Sequence, residues 1–576
     1  MRKPQPVLLS NPRSAFSASA LSLAFTFAVL WLVASCSTTP AVPPAAAAPG
    51  AAAPTKPRLV VFIAVDGLPM RQVTGYRDQL GLDGLARFLD RGTWFAEAHY
   101  GHAYTVTAAG HATMLTGAYP HRTGIIGNEW RDRETGDRVY CTGDTSATYI
   151  GNETDKLDGT SPRNLRAETV GDVMKRSYPG AKVISVSGKD RGAILPAGKT
   201  GTAYMYMSAS GQFASSTYYM ARHPAWVDAF NAAKPADRYF RAEWKPLLPE
   251  AVYARSLPDN HPAYGTLPGK LPIVMKGKAE QPDPAFYSGL LRSPFADALT
   301  LDFARAAIVG EALGQDDVPD ILAISLSGHD YVNHAWSAES RFSQDHLLQL
   351  DRLFAAFFQR LDQTVGKDRY LVVLTADHGF TPLPEVSKER GEEGGRFNNT
   401  QFLNNINKGL EKRYGVPTLA GQLSASGVLI NRRQLADRQL DAAAVQQTIR
   451  ELVLAEPGVQ VAYTRREFEA GMADAGADAP YFAAMQKSFN KDLSADVQFG
   501  LKPGWMGQAT GTTHGSPNRN DTHVPILFYG PAWVPATRVE QRVEVVDIAP
   551  TLAGMLGVAA PSMSEGRLLP IAAVRR

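Results

Sequence analysis

Six side chains able to hold a metal are spread along this 576-residue chain: Asp66, Asp330, His334, Asp377, His378 and His514. Carboxylates and imidazoles without cysteine are a donor set for zinc in a hydrolytic site. Six protein ligands are too many for one catalytic zinc, which keeps a position open, but suit two zincs; a single-metal site is the alternative. Asp330 and His334 are four residues apart and share a face if the chain turns helical there. Asp377 and His378 are adjacent, so they converge only where the backbone turns. Thr107 stands before residues 108–115, whose composition is helical. A helix N-terminus offers free N–H groups and a positive dipole to an anion. The commoner fate of such a threonine is a plain N-cap. Lys189 and Arg191 flank Asp190 and read either as a solvated loop pair or as a clamp for an anion.

These residues need elements to position them. Apolar runs at 58–65, 182–187, 321–326 and 370–375 lead directly into Asp66, Lys189-Asp190-Arg191, Asp330 and Asp377-His378; a fifth, at 524–529, follows His514. Near-continuous apolar runs mark strands buried on both faces. Alternating with amphipathic stretches, they predict an α/β fold with a mostly parallel central sheet flanked by helices. Ligands bind beyond the carboxyl ends of such strands. One aspartate there is often only a helix cap. Four strand ends carrying ligand-type residues on one edge call for a metal or phosphate site.

Composition narrows the rest. At 44% hydrophobic and 20% charged the chain is globular, not disordered. The net charge is +3 and no basic stripe is present, so nucleic acid is not an expected partner. Two cysteines, Cys36 and Cys141, cannot make a disulfide framework or a thiolate zinc site. Cys141 reads as a small buried apolar residue.

Arg2, Lys3 and Arg13, then the apolar residues 15–33, then small residues before Cys36 form an export signal. It resembles a bacterial lipoprotein signal, which implies cleavage after residue 35, lipidation of Cys36 and, with Ser37 next, an outer-membrane or periplasmic location in a Gram-negative cell. An uncleaved anchor is the alternative. Residues 36–57, rich in Ala and Pro, read as a tether. The remainder, 58–576, is expected to be one catalytic domain with cap insertions at about 195–294 and 383–511. Aromatic residues in the first of these read as core rather than pocket wall.

The segment from Thr107 to Gly117 has the pattern T-x-x-G-H-A-T-x-x-T-G, and His121 to Asn128 has H-x-x-G-I-x-x-N. With the six ligands, these resemble the threonine-nucleophile branch of the alkaline phosphatase superfamily. The resemblance implies two zincs, one held by Asp66, Asp377 and His378 with Thr107 beside it, the other by Asp330, His334 and His514. It implies Thr107 as nucleophile, a phosphothreonine intermediate, and Asn128 as a phosphate ligand. Nucleotide pyrophosphatases and phosphodiesterases share those residues. Lys189-Asp190-Arg191 instead resembles the Lys-x-Arg of the bacterial phosphate-insensitive alkaline phosphatases, which implies small phosphate monoesters as substrates and hydrolysis to inorganic phosphate. Thr107-Ala108-Ala109 is not a sulfatase motif. A monomer is expected, with membrane attachment only through the lipid. A non-catalytic tethered binding protein is the remaining alternative; it would be expected to have lost a ligand or the nucleophile, and none is missing.

Overall fold

The computed structural model describes residues 56–572 apart from 426 and 472–478. The export signal, Cys36 and all but the last two tether residues lie outside the described residues. Nine strands form the central sheet: β1 (Leu59–Val65), β2 (Thr93–Phe95), β3 (Val183–Ser187), β4 (Thr202–Met207), β5 (Gln212–Ala214), β6 (Asp320–Leu326), β7 (Tyr370–Thr375), β8 (Ile526–Tyr529) and β9 (Thr537–Val539). Their order across the sheet is β9-β2-β8-β7-β1-β6-β3-β4-β5. Every residue of β1, β3, β6 and β7 is buried, as the apolar runs require of strands covered on both faces. β4, β3, β6, β1 and β7 are mutually parallel, while β5 and β8 run against their neighbours.

The register decides where the chemistry lies. Ala64 of β1 pairs with both Ser325 of β6 and Thr375 of β7, and Ser325 pairs with Ser187 of β3. Two residues beyond that row stand Asp66, Ser327, Asp377 and Lys189, level with one another at the carboxyl edge. β8 starts opposite Thr375 and runs the other way. Its amino end therefore lies at that same edge, which is how a residue preceding the strand, His514, can reach a site built on strand ends.

Five helices matter to the site. α1 (Thr107–Thr116), α2 (Asp190–Ala197), α3 (Pro294–Gly310), α4 (Gly328–Trp336) and α5 (Arg341–Thr364) pack on or beside the sheet. α2 begins three positions after the end of β3 and α4 two positions after the end of β6. Among the described residues no helix is long and apolar enough to cross a membrane.

The two stretches expected as insertions behave differently. Part of the first is not an insertion: β4 and β5, residues 202–214, extend the central sheet beyond β3. The reason is that five of the six residues of β4 are buried, so the strand needs cover on both faces. Tyr204, Tyr206 and Phe213 are core residues there, as their types suggested. In the second stretch, Ala420–Ser424, Gly427–Ile430, Val459–Thr464 and Val497–Leu501 form a separate antiparallel sheet. Helices Asn399–Tyr414 and Ala442–Leu454 cover it, burying Phe402, Ile406 and Leu410 from one and Val445, Ile449 and Val453 from the other. Each set has the four-residue spacing of a single helical face.

Residues 244–253 are tied to α5 through one buried carboxylate. Asp345 accepts hydrogen bonds from Trp244 Nε1 (2.6 Å), Tyr253 OH (2.6 Å) and the Leu247 amide (2.7 Å). Removing the acceptor leaves these three donors unmet together with Gln349 Nε2, which also donates to it at 2.7 Å, and each unmet buried donor costs about 1–3 kcal/mol. Asp345→Ala is therefore expected to lower unfolding free energy by at least about 3 kcal/mol, read by denaturant titration. A loss under about 0.5 kcal/mol, the range of ordinary surface substitutions, would show that this carboxylate anchors nothing.

Candidate active site

Three carboxylates converge where β1, β6 and β7 end. Asp66, Asp330 and Asp377 are almost wholly buried. Around them stand three imidazoles. His378 Nε2 lies 3.3 Å from Asp377 Oδ2, 3.5 Å from Asp66 Oδ1 and 4.0 Å from Asp330 Oδ1. His334 Nε2 lies 3.3 Å and His514 Nε2 3.8 Å from Asp330 Oδ1. The two donor groups this makes, Asp330-His334-His514 and Asp66-Asp330-His378, each fit around a single ion. Asp377 joins the second through His378. All six predicted ligands are thus in one place, and Asp330 lies between the two groups.

Local folding explains the convergence. α4 carries Asp330 in its first turn and His334 in its last, one helical turn apart on one face. Asp377 and His378 follow the last residue of β7, where the chain leaves the strand and both side chains reach the centre. Gly67 has φ +72°, and a Cβ there would lie 2.8 Å from the Phe380 ring, so the turn after Asp66 needs glycine. Its amide donates to Asp377 Oδ1 at 2.9 Å, leaving Oδ2 facing inward. The loop carrying His514 is pinned to the segment after β7 by Gly379 N–H to Asp521 O (2.7 Å) and Thr381 N–H to Thr513 O (3.2 Å).

The imidazoles are set as acceptors. Nδ1–H donates to a backbone carbonyl in each: Gly379 O for His378 (3.0 Å), Thr512 O for His334 (2.8 Å) and Thr105 O for His514 (2.8 Å). In the neutral ring that leaves Nε2 bare toward the carboxylates, the arrangement by which outer hydrogen bonds orient a metal-binding histidine; burial would lower the His334 pKa, but Asp330 beside its Nε2 outweighs that and raises it. Burial pushes His378 down to about 3, and burial with the neighbouring His378 and His334 holds His514 well below its ordinary value. Both rings are neutral.

The donor set fits divalent cations. Asp66 Oδ1, Asp330 Oδ1, Asp377 Oδ2 and His378 Nε2 are buried without a hydrogen-bond partner, and all belong to this cluster. Burial and the charge of Asp66 raise the Asp377 carboxyl well above the usual range. One ammonium faces two of the three carboxylates: Lys189 Nζ lies 2.6 Å from Asp66 Oδ2 and 2.5 Å from Asp330 Oδ2. Burial alone would lower the Lys189 ammonium, but Asp330 and Asp66 outweigh it and hold it above its ordinary value. Lys189 is thus no solvated loop residue.

Thr107 is buried and is the first residue of α1; the capping position is Val106, whose side chain makes no cap hydrogen bond. Thr107 is therefore not the N-cap. Asn128 Oδ1 instead accepts the Ala108 amide at 2.8 Å, which puts Asn128 at the same helix end. α1 packs directly on the metal-type residues, since a Cβ on Gly110 would lie 2.2 Å from Asp377 O. Arg191, on the first turn of α2, donates to Tyr140 OH at 3.1 Å, and its buried Nε has no partner. α2 packs against α1.

Two participants went unassigned in the sequence. His111 Nδ1–H donates to Thr107 O at 2.9 Å and lies 3.4 Å from Asp377 Oδ2, while Nε2 accepts from Ser325 Oγ at 2.8 Å. It ties α1 to β6 and β7. The i,i+4 spacing from Thr107 was the available signal. Asn333 Nδ2 donates to Gly67 O at 3.0 Å, joining α4 to the Asp66 turn. Nothing in the sequence marked it.

A family model described as type I phosphodiesterase / nucleotide pyrophosphatase matches residues 60–515. Similar proteins include alkaline phosphatase PafA of Elizabethkingia meningoseptica, 33% identical over 89% of this chain and 94% of that one. Alkaline phosphatase PhoV of Synechococcus elongatus is also 33% identical, over 89% and 92%. The crystal structure of PafA superposes with a TM-score of 0.82 at 31% identity, over 89% of this chain and 98% of that one. Another solved structure is a PafA variant in which a threonine, an asparagine, a lysine and an arginine, in that order, are replaced.

A site of this kind ties stability to divalent cations. Binding to the folded state alone stabilises by about 2.7 kcal/mol at a hundredfold excess over Kd. Removing bound cations with a chelator is expected to lower Tm by several degrees, and restoring them to reverse it. An unchanged Tm in protein shown by elemental analysis to have lost its ions would dismiss the site.

Proposed function

Because this chain belongs to the type I phosphodiesterase / nucleotide pyrophosphatase family, within the alkaline phosphatase superfamily, we propose that it is an alkaline phosphatase, hydrolysing phosphate monoesters through a phosphothreonine at Thr107. The observation that carries this reading is a pair of cations at the end of β3, Lys189 buried against Asp66 and Asp330 and Arg191 half-buried on the first turn of α2. A monoester dianion presents three non-bridging oxygens, a diester monoanion two. Two extra cations stabilise the additional charge and occupy the place of a second ester group. The relatives named as alkaline phosphatases support it, as does the spacing of the replaced PafA residues. There the asparagine follows the threonine by 21 positions and the arginine follows the lysine by two, as for Thr107, Asn128, Lys189 and Arg191.

In this reading Asp66, Asp377 and His378 would hold one zinc, with Thr107 beside it, and Asp330, His334 and His514 would hold the other. Bound there, the pair would lower the pKa of the Thr107 hydroxyl and offset charge on the departing oxygen. Thr107 Oγ1 attacks phosphorus in line, the bond to the alcohol oxygen breaks, and a phosphothreonine forms. Water attacks it from the opposite side, freeing inorganic phosphate and the Thr107 hydroxyl. Asn128, Lys189 and Arg191 hold the non-bridging oxygens. The unpartnered Nε gives Arg191 a donor still to use, and Asn128, whose Oδ1 is taken by Ala108, keeps its NH2 for phosphate. Small monoesters are the proposed substrates, and the leader points to export with Cys36 as a lipidated start. The mass of the mature N-terminal peptide checks the last point.

Hydrolysis of nitrophenyl phosphate and bis-nitrophenyl phosphate, each with and without chelator, tests the whole. Thr107→Ala is expected to keep its metal content and lose most turnover; full turnover would remove Thr107 from the chemistry. Arg191→Ala is expected to lower monoester kcat/KM by about 10²–10³, the usual cost of one oxyanion donor, with a smaller loss on the diester. Equal losses on both substrates would refute the clamp.

A further inference from the structure

A cleft of about 370 Å³ opens beside His514. One wall is the loop 513–517 with Tyr104; the other belongs to the separate antiparallel sheet and its flanks, through Phe397, Leu423, Phe499, Trp505 and Met506. The loop that lines the cleft touches the residues just before the reacting threonine. His514 is bonded to Thr105 O, Thr105 Oγ1 donates to Ser516 O at 2.9 Å, and a Cβ on Gly515 would touch Val106 at 3.4 Å. Thr107 is the next residue.

We propose that this cleft seats the alcohol portion of the substrate and selects uncharged, flat, mainly apolar leaving groups over anionic ones. The inference rests on the phosphomonoesterase reading and adds a substrate class to it. Three features of the lining carry it. One wall gathers Phe397, Leu423, Phe499, Trp505 and Met506, which suits a ring face, and the polar groups around it, such as Asn399 and Gln508, are neutral. Among the described residues no lysine or arginine lines the cleft, and the one carboxylate there, Asp521, is already engaged by Thr381 Oγ1 at 2.8 Å and Ser516 Oγ at 2.6 Å. A second phosphate or a carboxylate on the leaving group would lose its water and find no counter-charge. Finally, Tyr104 OH and Trp505 Nε1 are buried without a hydrogen-bond partner. Two unused donors in an apolar cleft suit an acceptor on the ring, such as a carbonyl or ring nitrogen. The opposite side of the site differs. The cleft of about 600 Å³ at Lys189 and Arg191 has aromatic and aliphatic residues of its own, but it is bordered as well by Glu153, Asp155, Asp158 and Asp190.

Phosphonates test this without bond cleavage, so leaving-group reactivity drops out. Inhibition constants of methyl-, phenyl- and 2-carboxyethylphosphonate are measured against hydrolysis of methyl phosphate. Phenylphosphonate is expected to bind at least tenfold tighter than methylphosphonate, and 2-carboxyethylphosphonate no tighter than methyl. In Leu423→Lys, a half-buried wall position, the carboxyethyl compound should gain at least fivefold and the phenyl compound should lose, with methylphosphonate unchanged. Equal constants for methyl and phenyl in the unaltered enzyme would overturn the inference whatever the variant does. So would a folded Leu423→Lys protein with all three constants unmoved. Absence of monoester hydrolysis by the unaltered enzyme would instead sink the phosphatase reading.

Discussion

Three carboxylates buried together at the ends of β1, β6 and β7 set the terms for the rest of this molecule. Two like charges 4 Å apart repel by about 4 kcal/mol at an effective dielectric of 20, and desolvation adds to that. A chain that places Asp66, Asp330 and Asp377 out of reach of water needs compensating positive charge. Within the protein the compensation is partial. Lys189 answers two of the three, and Asp377 is left with its carboxyl raised. The neutral rings of His378 and His514 add no charge but present bare nitrogens. The cluster is poorly made as a structural ion-pair network and well made as a receptacle for divalent cations.

Much of the surrounding fold serves that cluster. The register of four adjacent strands sets Asp66, Asp377 and Lys189 level with the residue from which α4 departs. The helices that follow take over immediately, so Asp330 and His334 are fixed by helical geometry rather than by a loop. The reversed direction of β8 lets a residue from the far end of the chain join the same edge. Backbone carbonyls from three separate segments then lock the imidazole tautomers. Rigid elements supply the first contacts and their hydrogen-bonded neighbours supply the orientation, the usual requirement for a site held to sub-ångström tolerance.

What the sequence disclosed follows from this division. Strand ends were readable because burial on both faces produces unbroken apolar runs, and residues just beyond them are exempt from that pressure. The i,i+4 pair Asp330 and His334 was readable from helical periodicity. β4 and β5 were not recognised as sheet strands, because Tyr204, Met205 and Tyr206 fit a core strand or a cap equally well without knowledge of the edge they pair with. The role of Asn333 depends on a single contact to Gly67 O across 266 positions, and no local pattern encodes such a contact. Thr107 was placed correctly at a helix start, but whether it caps that helix depended on Asn128, which takes the Ala108 amide in its stead.

Lys189 brings these strands of argument together. Its ammonium contacts the same two aspartates that the proposed function assigns to different metal ions. A divalent cation on those oxygens would repel an ammonium 2.5–2.6 Å away from them. The side chain needs another anion once the carboxylates are neutralised, and in the proposed reaction that anion is the phosphoryl group. Arg191 faces no such conflict, since its guanidinium is held by Tyr140 OH and by Asp190, which the proposed function assigns to neither metal. The two cations of one short motif are thus held differently. One depends on the charge state of the centre and the other does not, so Lys189 rather than Arg191 is the residue through which metal occupancy and phosphate recognition are coupled in the proposed function.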